Sequence, residues 1–174
     1  VRRYFKALSD STVQAKVFLP DPLTTAKRIY GSPYIDSNDG NTEVLNNERK
    51  MVEITVDFVG GQFLLRNDFF EIAETSAPVT PIATSNTPLF DYNRSEDGFE
   101  DVNAFYHLNA FRNYIASLDS DLSTLFDRKI LVDTHANNGE DNSFFTQSGG
   151  NLRLQFGEGG VDDAEDADVL IHEL

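Results

Sequence analysis

Between Val52 and Phe58 the chain alternates strictly, with Val52, Ile54, Val56 and Phe58 on one side of an extended backbone and Glu53, Thr55 and Asp57 on the other. A period of two holds together as a strand whose apolar side is covered. Gly60-Gly61 follows directly and supplies two residues that enter positive φ without a Cβ penalty, so a hairpin is expected to return through 62–65. Residues 69–72 read as a third strand. Residues 12–19 alternate well enough for another, stopped at Pro20-Asp21-Pro22 by fixed φ and missing N–H groups. The first 75 residues are therefore expected to be β-rich.

Turn formers punctuate the rest. Gly31, Pro33, Asp36, Asn38, Asp39, Gly40 and Asn41 make 20–47 mostly irregular, and Pro78, Pro81 and Pro88 mark 76–98 as an extended connector. Ala104, Leu108, Phe111, Ile115 and Leu118 then recur at helical spacing and predict a helix of about five turns, ended by Asp119-Ser120-Asp121. Short β-like runs are expected at 130–134, 143–146 and 152–156. A last helix starts near Asp163-Ala164 and runs to Leu174. The fold class read from this is α+β: a β-rich subdomain over 1–95, closing with the Pro-rich connector, followed by a second part over 96–174.

Composition excludes several partners. The 174 residues carry 14 basic and 29 acidic side chains, a net charge of −15, and no Lys or Arg cluster exceeds an adjacent pair, which argues against nucleic acid. No stretch approaches the ~20 apolar residues of a membrane span, and no apolar run of signal-peptide length follows Val1-Arg2-Arg3-Tyr4, so a soluble, already processed piece is expected. With 40% hydrophobic residues, including 14 Phe, a packed core is expected. Absence of cysteine removes disulfides, thiol nucleophiles and Cys-ligated zinc, leaving three His and the carboxylates for metal or acid/base chemistry.

The chain closes on Ile171-His172-Glu173-Leu174, the first half of the pattern H-E-x-x-H, in which two His one helical turn apart face one zinc ion and the Glu serves as general base. Three stretches extend the likeness. They are Val17-Phe18-Leu19-Pro20-Asp21-Pro22-Leu23-Thr24-Thr25 with Tyr34-Ile35-Asp36-Ser37-Asn38-Asp39 and Leu45-Asn46-Asn47-Glu48-Arg49; Phe99-Glu100-Asp101-Val102-Asn103-Ala104-Phe105-Tyr106-His107-Leu108; and Asn142-Ser143-Phe144-Phe145, Leu154-Gln155-Phe156-Gly157-Glu158-Gly159-Gly160 and Asp168-Val169-Leu170 in that order. Together they resemble the amino-terminal portion of a thermolysin-like or fungalysin-like zinc metallopeptidase, of the gluzincin class.

The resemblance implies a secreted zinc metalloendopeptidase that hydrolyses peptide bonds with zinc-activated water. His172 would be the first zinc ligand and Glu173 the general base. Asn142 would bind the substrate backbone, and Ser143 and Phe144 would belong to an edge strand to which an extended peptide adds. Asp168 matches a calcium-ligating aspartate. The second His would stand two positions beyond Leu174, so the partners implied are a peptide or protein substrate and the remaining carboxy-terminal part of the peptidase. The 174 residues alone are expected to be inactive, because a catalytic zinc takes three protein ligands.

Other readings stand beside these. Glu158, Asp162, Asp163, Glu165, Asp166 and Asp168 are read as the solvated start of a helix, where carboxylates meet the positive end of its dipole, with calcium the competing reading. His107 is expected in the core or at its boundary, and His135 on a surface loop. Asp36, Asn38 and Asp39 are read as a turn, since Asn47 stands where an EF-hand needs Glu. Phe69-Phe70 and Phe144-Phe145 are expected in the core on alternate faces. The alternative function is a non-catalytic β-rich interaction or structural module whose His-Glu ending is incidental.

Overall fold

The computed structural model describes residues 9–35 and 39–174. Val1-Arg2-Arg3-Tyr4, and Asp36 and Asn38 of the expected turn, lie outside the described residues. The architecture is mixed α+β, with two sheets and four α-helices among the described residues.

The first sheet is built on the predicted hairpin. β1 (Ser9–Val17) and β2 (Lys50–Val59) pair antiparallel with Val13 opposite Ile54 and Ala15 opposite Val52, and β3 (Gln62–Leu64) returns from Gly60-Gly61. Both glycines have positive φ, 67° and 93°. Ile54 and Val56 are buried as the alternation requires, but the end of β2 breaks the pattern, with Asp57 buried and Phe58 exposed. The cause is the returning chain: the Arg66 guanidinium reaches Asp57 at 2.7 Å, and Phe58 stacks on Phe63 with centroids 4.6 Å apart.

Two stretches expected to be irregular contain structure. Asp21 caps a short helix α1 (Pro22–Ala26), accepting from the Leu23 and Thr24 amides, with Pro22 in the first turn where its missing N–H costs nothing. Thr42 caps α2 (Glu43–Glu48) in the same way. The Pro-rich connector contributes the two-residue strands β5 (Thr84–Ser85) and β6 (Leu89–Phe90), which close the sheet in the order β5-β3-β2-β1-β6.

β4 (Phe70–Ile72), the third predicted strand, pairs outside this sheet. It lies parallel to β7 (Ile130–Ala136), which is parallel to β9 (Asn151–Gly157), and β8 (Phe144–Ser148) runs antiparallel along β9, giving the order β4-β7-β9-β8. The boundary expected near residue 95 therefore does not separate the sheets. One cluster of buried side chains joins Val13, Val56, Phe70 and Phe90 to Phe105, Val132, Leu154 and Leu170. Each such side chain contributes about 1.5–3 kcal/mol on burial.

The long helix α3 (Gly98–Leu118) touches β1, β4, β7 and α4 (Ala167–Glu173). Its predicted stripe holds at Ala104 and Leu108 and fades to an exposed Leu118. Residues 98–105 are buried on every side, because neighbours surround this half of the helix. Phe70 is in the core and Phe69 lies beneath Arg112, 3.6 Å from ring to guanidinium carbon. Phe144 and Phe145 are exposed, contrary to expectation: β8 is an edge strand with one sheet neighbour.

Candidate functional site

The His-Glu helix α4 is short and built from both ends of its first turn. Asp166 is its N-cap, accepting from the Asp168 amide at 2.8 Å, while Ala167 and Leu170 turn inward. Asp168 and His172, four residues apart, share the opposite face and are exposed; Glu173 is half-buried. The preceding 3-10 turn, Asp163–Glu165, is a separate element, so the last helix begins later than its pattern predicts.

The residue before β8 is tied to the 3-10 turn that precedes this helix. The Ser143 hydroxyl donates to Asp163 Oδ2 at 2.5 Å. Burial raises the Asp163 carboxyl above the usual range, the Ser143 bond opposes this, and the negative charges of Asp141 and Glu173 raise it further. Glu173 is thus within electrostatic reach of the residue that anchors Ser143. Asn142 is exposed, its side chain free to face solvent while its carbonyl accepts from Asn137 Nδ2 at 2.8 Å. Gly159 packs so closely on the Asp141 backbone that a Cβ there would overlap it, which seats the 157–160 loop against the start of the edge strand.

Zinc has one donor here. His172 lies outside the group of three His or carboxylate side chains whose ligand atoms converge among the described residues, and that group is Asp39, Glu100 and Asp162. The residues of this chain therefore do not make up a catalytic zinc site by themselves, which takes three protein ligands.

The acidic run differs from its expected role as a solvated helix start. Asp162 and Glu165 are buried at 2% exposure each, and Glu165 meets Arg94 at 2.6 Å in a pair closed to water on both sides. Burial pushes the Glu165 carboxyl up to about 8 despite Arg94, and Asp162 up to about 7, with Asp39 adding to the shift. Arg94 is committed also to the Ile35 carbonyl at 2.8 Å. Spacing along the chain gave no sign of this pair, whose members are 71 residues apart.

The two other histidines are buried. His107 donates Nε2–H to the Phe18 carbonyl at 2.8 Å, as a core residue should, and burial lowers its pKa. His135 is not on a surface loop. It ends β7 at 3% exposure, with Nδ1 2.6 Å from Glu158 and Nε2 3.0 Å from the Asp97 carbonyl. The adjacent carboxylates are structural anchors that the sequence reading missed. Asp101 accepts from the Ala83 amide and the Thr134 hydroxyl, and Asp133 accepts from the Thr75 and Ser76 amides. The signal was Glu100-Asp101 standing between Phe99 and Val102 in a helix, where charge is retained inside an apolar face.

No family model matches this chain, and no curated protein matches it.

Proposed function

We propose that this chain is the amino-terminal portion of a zinc metalloendopeptidase, with His172 one of the zinc ligands and Glu173 the carboxylate that takes a proton from the attacking water. The observation that supports this reading is the hydrogen bond from Ser143, at the start of a solvent-facing edge strand, to Asp163 in the turn before the His-Glu helix, where the charge of Glu173 is felt. An extended peptide adding to β8 would gain main-chain hydrogen bonds along a sheet edge and present a peptide bond toward the helix. Asn142, Ser143 and Phe144 would contact that substrate. Secretion, and calcium at Asp168, belong to the same proposal.

The test uses the intact peptidase, including the part carrying the remaining ligands. Glu173→Gln retains metal yet loses roughly 10²–10⁴-fold in activity, because the amide keeps the shape but accepts no proton. His172→Ala loses metal and activity together. An active Glu173→Gln enzyme would replace this reading with that of a non-catalytic module.

A further inference from the structure

We propose that Asp39, Glu100 and Asp162 form a calcium site, separate from the His-Glu helix, which ties the turn at Asp39 to the first turn of α3 and to the segment leading into α4. The three side chains come from distant parts of the chain, and their carboxylate oxygens lie within 4.8 Å of one another. Two oxygens that share one calcium ion, each at about 2.4 Å, lie no further apart than this, so the three groups are within reach of a single ion.

Glu100 provides an independent reason. It is 1% exposed, and neither Oε1 nor Oε2 accepts a hydrogen bond from an N–H or hydroxyl donor among the described residues; it lies against the Glu165 carboxyl, and two carboxylates in contact need a shared proton or a cation between them. A buried carboxylate without donors requires either a proton or a cation facing it. The nearby protein cation makes no hydrogen bond to Glu100: Arg94 directs Nε to Glu165 and Nη1 to the Ile35 carbonyl, and its Nη2 meets no acceptor among the described residues. Counted as ionised, Asp39, Glu100, Asp162 and Glu165 place four negative charges around one guanidinium.

The chemistry selects the ion. All donors are oxygens, which suits a hard cation and disfavours zinc; three carboxylates supply between three and six ligands, and water completes the shell from the exposed Asp39 side. Burial and mutual repulsion raise Glu100 well above the ordinary carboxylate range, so binding would release protons in its place. Because Asp162 lies ten residues before His172, the ion would order the approach to α4. None of this depends on the peptidase reading.

Calorimetric titration of the 174-residue chain with calcium chloride, after chelator treatment, tests it. One ion should bind per chain, and the thermal midpoint should rise with calcium. Asp39→Asn, at an exposed position, and Glu100→Gln should each weaken binding at least tenfold, whereas Asp121→Asn, exposed and outside the cluster, should leave it unchanged. Absence of binding at millimolar calcium would overturn the proposal, as would wild-type affinity in Asp39→Asn. Loss of the same binding in Asp121→Asn would also overturn it, placing the ion outside the cluster. Magnesium binding as tight as calcium would overturn the choice of ion.

Discussion

His135 Nδ1 lies 2.6 Å from a Glu158 carboxylate oxygen while its Nε2 faces the Asp97 carbonyl, so both ring nitrogens point at acceptors. A neutral imidazole has one N–H and would leave one of these contacts without a proton; the imidazolium satisfies both.

Stability should respond to this at neutral pH. Burial disfavours charge on His135, but Asp101 and then Glu158 overcome it and raise its pKa; Glu74 and Asp162 lie in the same field. A raised pKa gives stabilisation that is fully present below the unfolded value near 6.5 and is lost as pH rises through the folded value. The urea midpoint should fall from pH 6 to pH 8 more steeply in the wild-type protein than in His135→Gln. Parallel slopes would show that folding leaves the His135 pKa unchanged.

Asn103 clips two distant segments together. Fully buried, it accepts from the Phe18 amide at 3.1 Å and donates to the Ala164 carbonyl at 2.9 Å. Asn103→Ala leaves both backbone groups unpaired in the interior and should cost about 2–5 kcal/mol in urea unfolding. Asn109→Ala, at a half-buried position, provides the comparison; equal losses would deny Asn103 its special role.

The β2–β3 turn can be probed by its backbone alone. A Cβ on Gly61 would meet open space, so any penalty there comes from positive φ and not from a clash. Valine at Gly60 or Gly61 should therefore cost roughly 1–2 kcal/mol. Unchanged denaturation midpoints in both variants would place the turn elsewhere.

If a peptide adds to β8 in the intact peptidase, Asn142→Ala should lower kcat/KM by about 1–3 kcal/mol in barrier while sparing zinc content. Its exposed position makes a folding defect an unsuitable explanation of such a loss. Full activity would remove Asn142 from the substrate path.

What the sequence determined by itself was local. Alternation from Val52 to Val56, the Gly60-Gly61 turn, a helix through Ala104 and Leu108, and a helix carrying His172 and Glu173 all follow from periodicity and backbone sterics among near neighbours. Tertiary structure decided which strands pair and which charges are buried. β4 joins β7 nearly sixty residues onward, Phe144 and Phe145 are exposed because no further strand covers β8, and His135, Glu165 and Glu100 lie in the interior. Such outcomes depend on partners far along the chain: Glu165 on Arg94, His135 on Glu158, Ser143 on Asp163. The residue types were visible in the sequence, but a charged or polar side chain is buried only where folding delivers its partner within bonding distance, and local spacing carries no record of that meeting.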